Sequence, residues 1–387
     1  MANTLPANVG DAEKAAEIVG RELVGFIPSM RINAGSERVT QGGTVTSIKN
    51  QKATVNESVT PAMAIPEGDD RTFTAPSATL NQVANVMMNY TGEETHAIDM
   101  DYGFETVNGN AYLEAFRGIR NKIEAKCGIA LKNAASRAYG TAGTTPFASD
   151  HKAINHTRQL LVDNGMFLEG DTSLVIDSLA GTNLRNLSHL YKVNEAGGSG
   201  LLRQGVLSDI SGVAICETGN AAAHTKGTGT SYQTSAAEAL ESTTINVDTG
   251  SGTVVAGDIV TFTGDTVNKY VVNTALSGGS YTIGAPGIQA AVADNTAMAI
   301  GNNYTANVML RRSATELIVR PLKTPEKVFD GAGTGDAAIA VFDVQDPVSG
   351  IVYEVRIYGG FHKALISVTV VYEPIVWEPA GVALLLG

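Results

Sequence analysis

Cysteine is scarce in this sequence, and its two cysteines show no motif spacing. Cys127 and Cys216 are far apart along the chain, and Cys127 falls on the apolar side of a predicted helix. A secreted scaffold held together by disulfides is therefore excluded. We expect both thiols to be reduced in an intracellular protein, and a disulfide between them is the less favoured alternative.

Aromatic residues and basic charge are also in short supply. Aromatics make up 6% of the 387 residues, and 27 Lys and Arg face 39 Asp and Glu, which gives a net charge of −12. A dedicated nucleic-acid binder normally carries a basic domain or stripe, so this balance argues against one. The many small and polar residues favour thin sheets, turns and extended loops over a dense enzyme core.

Long apolar runs are missing as well. None approaches the roughly 20 residues that span a bilayer, and the N-terminus shows no basic and apolar targeting signal. We expect a soluble protein made in a cytoplasm, with no membrane partner. The length allows two or three domains with a real buried core.

The most regular stretch of the chain predicts a long helix over residues 111–139. Asn110 is a plausible N-cap and Gly140 a plausible stop. At about 1.5 Å per residue the helix would be roughly 43 Å long. Apolar or small residues recur at steps of three and four, which places them on one helix face: Tyr112, Phe116, Ile119, Ile123, Cys127, Ala130, Ala134 and Ala138.

The predicted long helix is unusually basic for so acidic a chain. Its cations could meet phosphates, meet acidic patches of a neighbouring subunit, or keep the helix soluble, and the sequence leaves these alternatives open. The cations are Arg117, Arg120, Lys122, Lys126, Lys132 and Arg137.

The segment from about residue 31 to residue 80 is extended, polar and poor in core residues. Short β-like pieces at Thr44–Thr46 and Ala53–Val55 flank Asn50, and an acidic turn follows Pro66. So long a stretch with little to bury is uncommon inside a compact domain. We predict an ordered hairpin that packs against another molecule, and the alternative is a loose surface loop.

The remaining predicted elements alternate between helix and strand, so the fold class is α+β. Residues 82–105 carry mixed strand and turn signals. We predict helices at 11–26, 150–165 and 183–193, a short helix near Ala314, and strands at 173–177, 307–310, 316–319, 351–357 and 364–370.

A change of composition near Asn220 introduces a block that is purely β-like. Alternating pairs such as Ile245/Val247, Val260/Phe262 and Tyr281/Ile283 are separated by Gly-containing turns. Short strands at such intervals indicate a small barrel or sandwich. We predict that residues 220–304 are an insertion into a domain that resumes afterwards.

No catalytic constellation is evident in the sequence. There is no G-x-S-x-G elbow, and the run GAGTGD at 331–336 lacks the Lys-Ser/Thr pair of a phosphate-binding loop. The carboxylate pairs Asp69/Asp70 and Asp99/Asp101 occupy polar stretches, where nothing raises their pKa values for acid catalysis. No two of the histidines have the i, i+4 spacing of a helical metal site, and these histidines are His96, His151, His156, His189, His224 and His362. We predict no enzyme, no catalytic, metal or cofactor-binding residue, and no cofactor.

Several stretches resemble, in order, the major capsid proteins of tailed bacteriophages. Asn110–Gly140 resembles the spine helix of the Hong Kong 97 capsid fold. Val254–Phe262 (VVAGDIVTF) resembles a strand of the domain inserted in the coat protein of short-tailed Salmonella phages, although Ala256 replaces its basic residue. Ile375–Leu384, which contains EPAGV, resembles that protein's closing segment, and Ser173–Ile176, Arg203–Gly205 and Val213–Ile215 resemble the part that leads into the insertion.

The resemblance implies a division of the chain into the parts of that fold. These are an N-terminal arm (1–35), an extended E-loop (36–81), a P-domain (82–180) with its spine helix (111–139), an A-domain with a return to the P-domain (181–219 and 305–387), and an inserted β-barrel-like domain (220–304).

The resemblance also implies a function. The chain would assemble with itself, as hexamers and pentamers, into the icosahedral shell of a tailed phage. Its other partners would be a separate scaffolding protein, a portal and non-specifically contacted double-stranded DNA. It would be made in the bacterial cytoplasm and would end in the virion capsid. An encapsulin-type compartment shares the fold and is the first alternative, and a β-rich tail-fibre or adhesin module is the second.

Overall fold

A computed structural model shows the architecture of most of the chain. The described residues are 24–35, 37–47, 49–50, 61, 63, 73–101, 104–191, 209–323, 338–346 and 349–387. Several predicted features lie wholly or almost wholly outside them: the helix at 11–26, the strand at 53–55, the Asp69/Asp70 pair, the motif at 203–205 and the Gly-rich run at 331–336.

The described chain mixes helices with many strands. The helices are Phe26–Ser29, Gly92–Asp101, Phe104–Ala134, Lys152–Asp163, Ser178–Arg185 and Ser188–Tyr191, with 3-10 turns at Arg312–Ala314 and Pro379–Gly381. The strands up to residue 218 are β1 Arg31–Ala34, β2 Thr44–Thr46, β3 Lys49–Asn50, β4 Phe73–Thr74, β5 Ser77–Thr79, β6 Gln82–Thr91, β7 Arg137–Tyr139, β8 Thr172–Asp177 and β9 Ala214–Thr218. The remaining strands are β10 Ala223–His224, β11 Gln233–Thr234, β12 Thr244–Asp248, β13 Ile259–Phe262, β14 Asp265–Ser277, β15 Ser280–Ile283, β16 Met298–Ile300, β17 Tyr304–Arg311, β18 Thr315–Arg320, β19 Ala338–Gln345, β20 Val352–Gly360, β21 Lys363–Val376 and β22 Val382–Leu386.

The first sheet has six strands, in the order β1-β18-β21-β20-β19, with β6 paired along the other edge of β21. The two predicted closing strands are β20 and β21, and they pair with each other as a hairpin. β21 is the longest strand because it has partners on both sides: β6 on one side, β20 and then β18 on the other. Chain segments nearly 300 residues apart thus share one sheet.

The helix Phe104–Ala134, which we call the long helix, packs its apolar stripe on this sheet. Tyr112, Phe116, Ile123 and Cys127 are completely buried. The rings of Phe116 and Tyr353 (on β20) lie 4.9 Å apart. Burying such a side chain stabilises the fold by about 1.5–3 kcal/mol. The predicted apolar face is therefore confirmed from Tyr112 to Cys127, and Cys127 serves in packing. Beyond Cys127 the prediction is wrong, because Leu131 and Ala135 are buried in place of Ala130 and Ala134, and Ala138 lies in β7.

The predicted bounds of the long helix, 111–139, are wrong at both ends. The helix begins at Phe104, so Asn110 lies inside it, and it ends at Ala134. Beyond its end, the Ser136 amide donates to the Val382 carbonyl over 2.9 Å. Residues 137–139 then pair with the C-terminal strand β22. Pairing with a distant strand thus ends the helix before the predicted Gly140 stop.

The second sheet is larger, and its 12 strands come from residues between 137 and 386. Its order is β11-β12-β15-β14-β7-β22-β17-β8-β9, with β10 beside β17 and with β13 between β14 and β16. The predicted strands at 173–177 and 307–310 are confirmed as β8 and β17. β22, a continuous apolar run (VALLL) that the sequence analysis did not assign to a strand, lies between β7 and β17 and is wholly buried.

Residues 220–304, which we call the β unit, have a hydrophobic core of their own. The predicted alternation is confirmed, because Ile245, Val260, Tyr281 and their alternating partners all point into that core. The β unit continues the second sheet at one edge, where β14 pairs with β7. Its interpretation as an insertion into the surrounding domain stays a prediction.

Two further predictions need correction. Residues 82–105 form the well-defined strand β6, followed by the helix Gly92–Asp101. The helix predicted at 183–193 begins earlier, at Ser178, because the Asp177 side chain accepts from the Leu179 amide and caps it. This helix ends at Arg185, and a separate short helix follows at Ser188–Tyr191.

Candidate assembly surface

A two-stranded arm leaves the first sheet between β1 and β6. β2 pairs antiparallel with β5, and farther out β3 pairs with β4. The predicted strand at 44–46 and the predicted ordered hairpin are thus confirmed for these described residues. Between β3 and β4, the side chain of Met63 is fully exposed. A fully exposed apolar side chain gains nothing from the folding of its own subunit.

The base of the arm is held on the sheet by backbone bonds and by apolar contacts. The Gly42 amide donates to the Leu80 carbonyl, and the Leu80 amide donates to the Gly43 carbonyl, both over 2.8 Å. Leu80 itself is completely buried against Ile318 and Val371. Partly buried side chains surround this cluster, namely Val39, Val45, Leu322, Ile375 and Trp377. The first turn of the arm therefore has a fixed place.

An ion pair adds a polar contact at the same place. Nη1 of Arg38 lies 2.7 Å from Oε2 of Glu354 on β20. The same nitrogen also donates to the Leu322 carbonyl over 3.1 Å. Oε2 of Glu354 accepts no well-aligned hydrogen bond, so its contact with Arg38 is an attraction between charges. The other carboxylate oxygen accepts from the Arg356 guanidinium.

The face of the first sheet that points away from the long helix is open beside the arm. Strand alternation directs exposed apolar side chains to this face, including Met87 on β6 and Ile339 on β19, which are 61% and 69% exposed. A groove of about 300 Å³ runs across it, with Glu354 and Arg356 among its lining residues. The arm covers one end of the face, at Val371. The middle of the face is buried as well, at Glu354, Arg356 and Thr369, and the exposed apolar side chains lie along its edges, on β6 and β19.

Half of the cations predicted along the long helix point inward. Arg120 is 1% exposed and lies 3.6 Å from Asp346, while Lys132 and Arg137 are also buried. These three are not available to phosphates or to a neighbour. Lys122 is exposed, and Arg117 and Lys126 are partly exposed. Of the six cations, only these three could still meet phosphates, meet a neighbouring subunit or keep the helix soluble.

Lys132 takes part in a buried chain of polar groups between the long helix and the β unit. Its ammonium donates to Nδ1 of His224 over 3.2 Å, and Nε2 of His224 lies 2.8 Å from Asp258. Because an ammonium only donates, the imidazole proton belongs on Nε2, facing the carboxylate. Burial lowers the pKa of Lys132, although the nearby Asp258 partly offsets this effect. No local sequence pattern indicates this contact, because Lys132, His224 and Asp258 are far apart along the polypeptide.

Glu124 is the other buried polar anchor of the long helix. Its carboxylate accepts from the backbone amides of Gly25, Phe26 and Ile27 over 2.7–3.0 Å, and from the Thr218 hydroxyl over 2.9 Å. The carboxylate therefore fixes the place where the described chain first meets the long helix.

The part of the chain that the structure describes contains no cluster of three His, Cys, Asp or Glu residues that could hold a metal. His151 and His156 do not converge on a common site: His156 is exposed and stacks on Tyr139 at 4.5 Å. Both cysteines are free thiols. None of the helices with described residues is long and apolar enough to span a membrane.

Solved structures of shell proteins share this architecture. The capsid structure of the cyanophage P-SCSP1u is similar with a TM-score of 0.52 at 8% identity, covering 95% of this chain and 88% of that chain. The mature capsid of bacteriophage PhiM1 gives 0.48 at 11% identity, covering 94% and 87%. The virus-like particle from Pyrococcus furiosus gives 0.41 at 7% identity, covering 97% and 98%. No family model and no curated protein matches the sequence.

The similarity to the cyanophage capsid establishes the fold. The chain is α+β and has the Hong Kong 97 capsid fold. Identities this low show a fold and leave the function to be argued from the surfaces described above.

Proposed function

We propose that this chain is the major capsid protein of a tailed phage, and that it assembles with itself into the icosahedral shell that encloses a double-stranded DNA genome. One observation carries the proposal: a chain with a capsid fold extends an arm away from its own core. Met63 of that arm, between β3 and β4, is fully exposed, and the apolar sheet face beside the arm is open. Both surfaces need a partner, and a closed symmetric shell supplies one from identical copies.

In this proposal, each part of the chain has a role of its own. Residues 1–35 serve as the N-terminal arm, 36–81 as the E-loop and 82–180 as the P-domain. Residues 181–219 and 305–387 serve as the A-domain and the return to the P-domain, and the β unit is an inserted domain. The buried cations of the long helix tie it to its own subunit, so the helix acts as a stiff spine.

Assembly then places the arm of one copy over the open sheet face of the next copy. Exposed apolar residues on both surfaces are removed from water, at about 25 cal/mol per Å² of apolar area. Hexamers and pentamers built in this way close into the shell. The acidic chain contacts packaged DNA without sequence preference and avoids tight binding, which each added phosphate contact would strengthen.

Other partners follow from the same role. A separate scaffolding protein directs assembly, and a portal occupies one vertex. The protein is made in the bacterial cytoplasm and ends in the virion capsid.

Electron microscopy of the purified protein, with its nucleic-acid content measured, tests the function. Closed particles of uniform diameter that package DNA are expected. Closed particles that hold a protein cargo and need neither scaffold nor DNA would instead indicate an encapsulin-type compartment. Trimers or filaments would indicate a tail-fibre or adhesin module.

Deleting residues 47–71 tests the task of the arm. The subunit should stay folded, because Leu80 and the rest of the arm base remain, and shells should be lost. A charge on the open face should have the same effect, so Met87→Asp should block shells. The matched control is Val267→Asp, at an exposed apolar strand position on the β unit. Normal capsids from both the deletion and Met87→Asp would refute the arm's role.

A further inference from the structure

We infer that Arg38 and Glu354 form a strap that holds the base of the arm on the sheet and is released by acid. The inference rests on the proposed function only for the task of the arm. The strap itself belongs to the single subunit and can be measured there.

The ion pair joins a partly exposed side chain of the arm connection to a buried side chain of the sheet. Arg38 belongs to the connection between β1 and β2, and 37% of its side chain is exposed. Glu354 lies in the middle of the first sheet and is 1% exposed. Other contacts also hold the connection, and they include the Arg38 bond to the Leu322 carbonyl and the apolar packing of Val39. In addition, the Val39 amide donates to the Pro321 carbonyl over 3.1 Å, and the Lys323 amide donates to the Val39 carbonyl over 3.0 Å.

Among the residues that the structure describes, three charged groups face the Glu354 carboxylate. Arg38 approaches it from the arm, Arg356 approaches it from the same strand, and Asp343 is its direct cross-strand neighbour on β19. On the other side its cross-strand neighbour is Thr369 of β21, which carries no charge. Two carboxylates and two guanidinium groups are thus close together. The Arg38 guanidinium belongs to the arm connection, so it can move away from the sheet.

The protonation of Glu354 has a definite direction. Burial raises its pKa above the ordinary value for glutamate, Arg38 lowers it, Asp343 raises it, and the net result is a raised pKa. Glu354 therefore takes up a proton at a higher pH than an ordinary glutamate. A carboxyl whose pKa is raised by folding gains stability on protonation, so acid does not unfold the sheet through this group. The neutral acid no longer attracts Arg38, and the strap opens while the subunit stays folded.

The chain contains its own reporter for this event. Trp377 is the only tryptophan, and it packs against the apolar cluster of Ala78, Leu80, Ile318 and Val371 at the arm base. Its Nε1 donates to Glu316 over 2.6 Å. Its fluorescence responds to the packing of the arm base, and Glu316→Gln measures any contribution from its own hydrogen bond.

The experiment follows Trp377 fluorescence of unassembled full-length subunits from pH 8 to pH 4. Far-UV circular dichroism checks the fold, and hydrogen exchange corrected for intrinsic rates follows residues 37–47. Wild type should show a red shift on acidification and a severalfold loss of protection in that segment, with unchanged circular dichroism. Glu354→Gln and Arg38→Gln should show the acid spectrum already at pH 8 and no transition, whereas Glu316→Gln should keep the transition.

Two results would overturn the strap: a pH transition in Glu354→Gln equal to that of wild type, or a wild-type spectrum and wild-type protection in Arg38→Gln at pH 8. If Glu354→Gln is insoluble, Arg38→Gln decides alone, since its side chain is partly exposed. If wild-type subunits form shells but show no pH transition, the strap is refuted and the proposed function stands. If wild-type subunits show the transition but never form shells, the proposed function is refuted and the strap stands.

Discussion

Replacing Glu124 by glutamine should weaken the subunit far more than the change of one atom suggests. The carboxylate accepts three backbone amide bonds and one hydroxyl bond inside the protein. In Glu124→Gln, one carboxylate oxygen becomes an NH₂ group. If Oε1 still accepts from the Gly25 and Phe26 amides, the new NH₂ group faces the Ile27 amide. That amide lies 3.0 Å from Oε2 in wild type.

The size of the loss follows from these contacts. One buried backbone donor left without an acceptor costs about 1–3 kcal/mol. Each remaining bond also loses the extra strength of a charged acceptor, roughly 0.5–1 kcal/mol per bond. Removing a buried charge recovers part of its desolvation cost, which offsets some of this loss. We expect a net loss of about 2–4 kcal/mol in the free energy of unfolding.

Urea denaturation of Glu124→Gln, followed by circular dichroism, measures this change. Hydrogen exchange at Phe26 and Ile27 locates it. The matched control is Glu114→Gln, the same substitution at an exposed position of the same helix, where the change should stay below about 0.5 kcal/mol. Equal stabilities for the two variants would refute the argument that the carboxylate organises the chain around residues 25–27.

Three further predictions concern the long helix. Arg120→Met should lose about 3–5 kcal/mol of unfolding free energy in urea titrations by leaving Asp346 buried without its ion pair, and adding Asp346→Leu should recover most of it. Ile123→Pro should abolish soluble subunits, since an interior proline costs about 3 kcal/mol or more, and normal yield would contradict a continuous helix. Gly118→Ala should increase the free energy of unfolding by about 0.5–1 kcal/mol, because its new Cβ meets nothing within 4 Å. A higher melting temperature would show this gain. The matched Gly128→Ala should gain less, because its Cβ would lie 3.0 Å from an aromatic ring.

The sequence predicted those parts of the fold whose signals are local. The apolar stripe of the long helix, the helix at 152–163 and the alternation of β12, β13 and β15 follow from periodicity, and each was found. β6 also alternates, with Ala84 and Val86 packed inward and Val83 and Met87 exposed, so its strand could have been predicted. The end of the long helix could not, because Arg137 and its neighbours are drawn into a strand by a partner more than 200 residues away.

The candidate assembly surface was predictable only in part. Low apolar content indicated the arm, but neither the ion pair of Arg38 nor the open sheet face has a local signal. The burial of Lys132 and Arg120 depends on Asp258 and Asp346, which reach the long helix only through the tertiary fold. A basic residue on a predicted helix carries no mark of whether its partner lies in its own subunit or in another molecule.

The position of β22 has a consequence for how the chain acquires its structure during translation. β22 lies between β7 and β17 and pairs with both. The sheet cannot join β7 to β17 until residues 382–386 have left the ribosome. Likewise, the first sheet cannot be completed until residues 363–372 have been made, because β6 pairs with them. Both sheets therefore depend on pairings between segments more than 200 residues apart, and such non-local contacts slow folding. Until these segments pair, the strand edges that they cover are exposed, a state prone to aggregation.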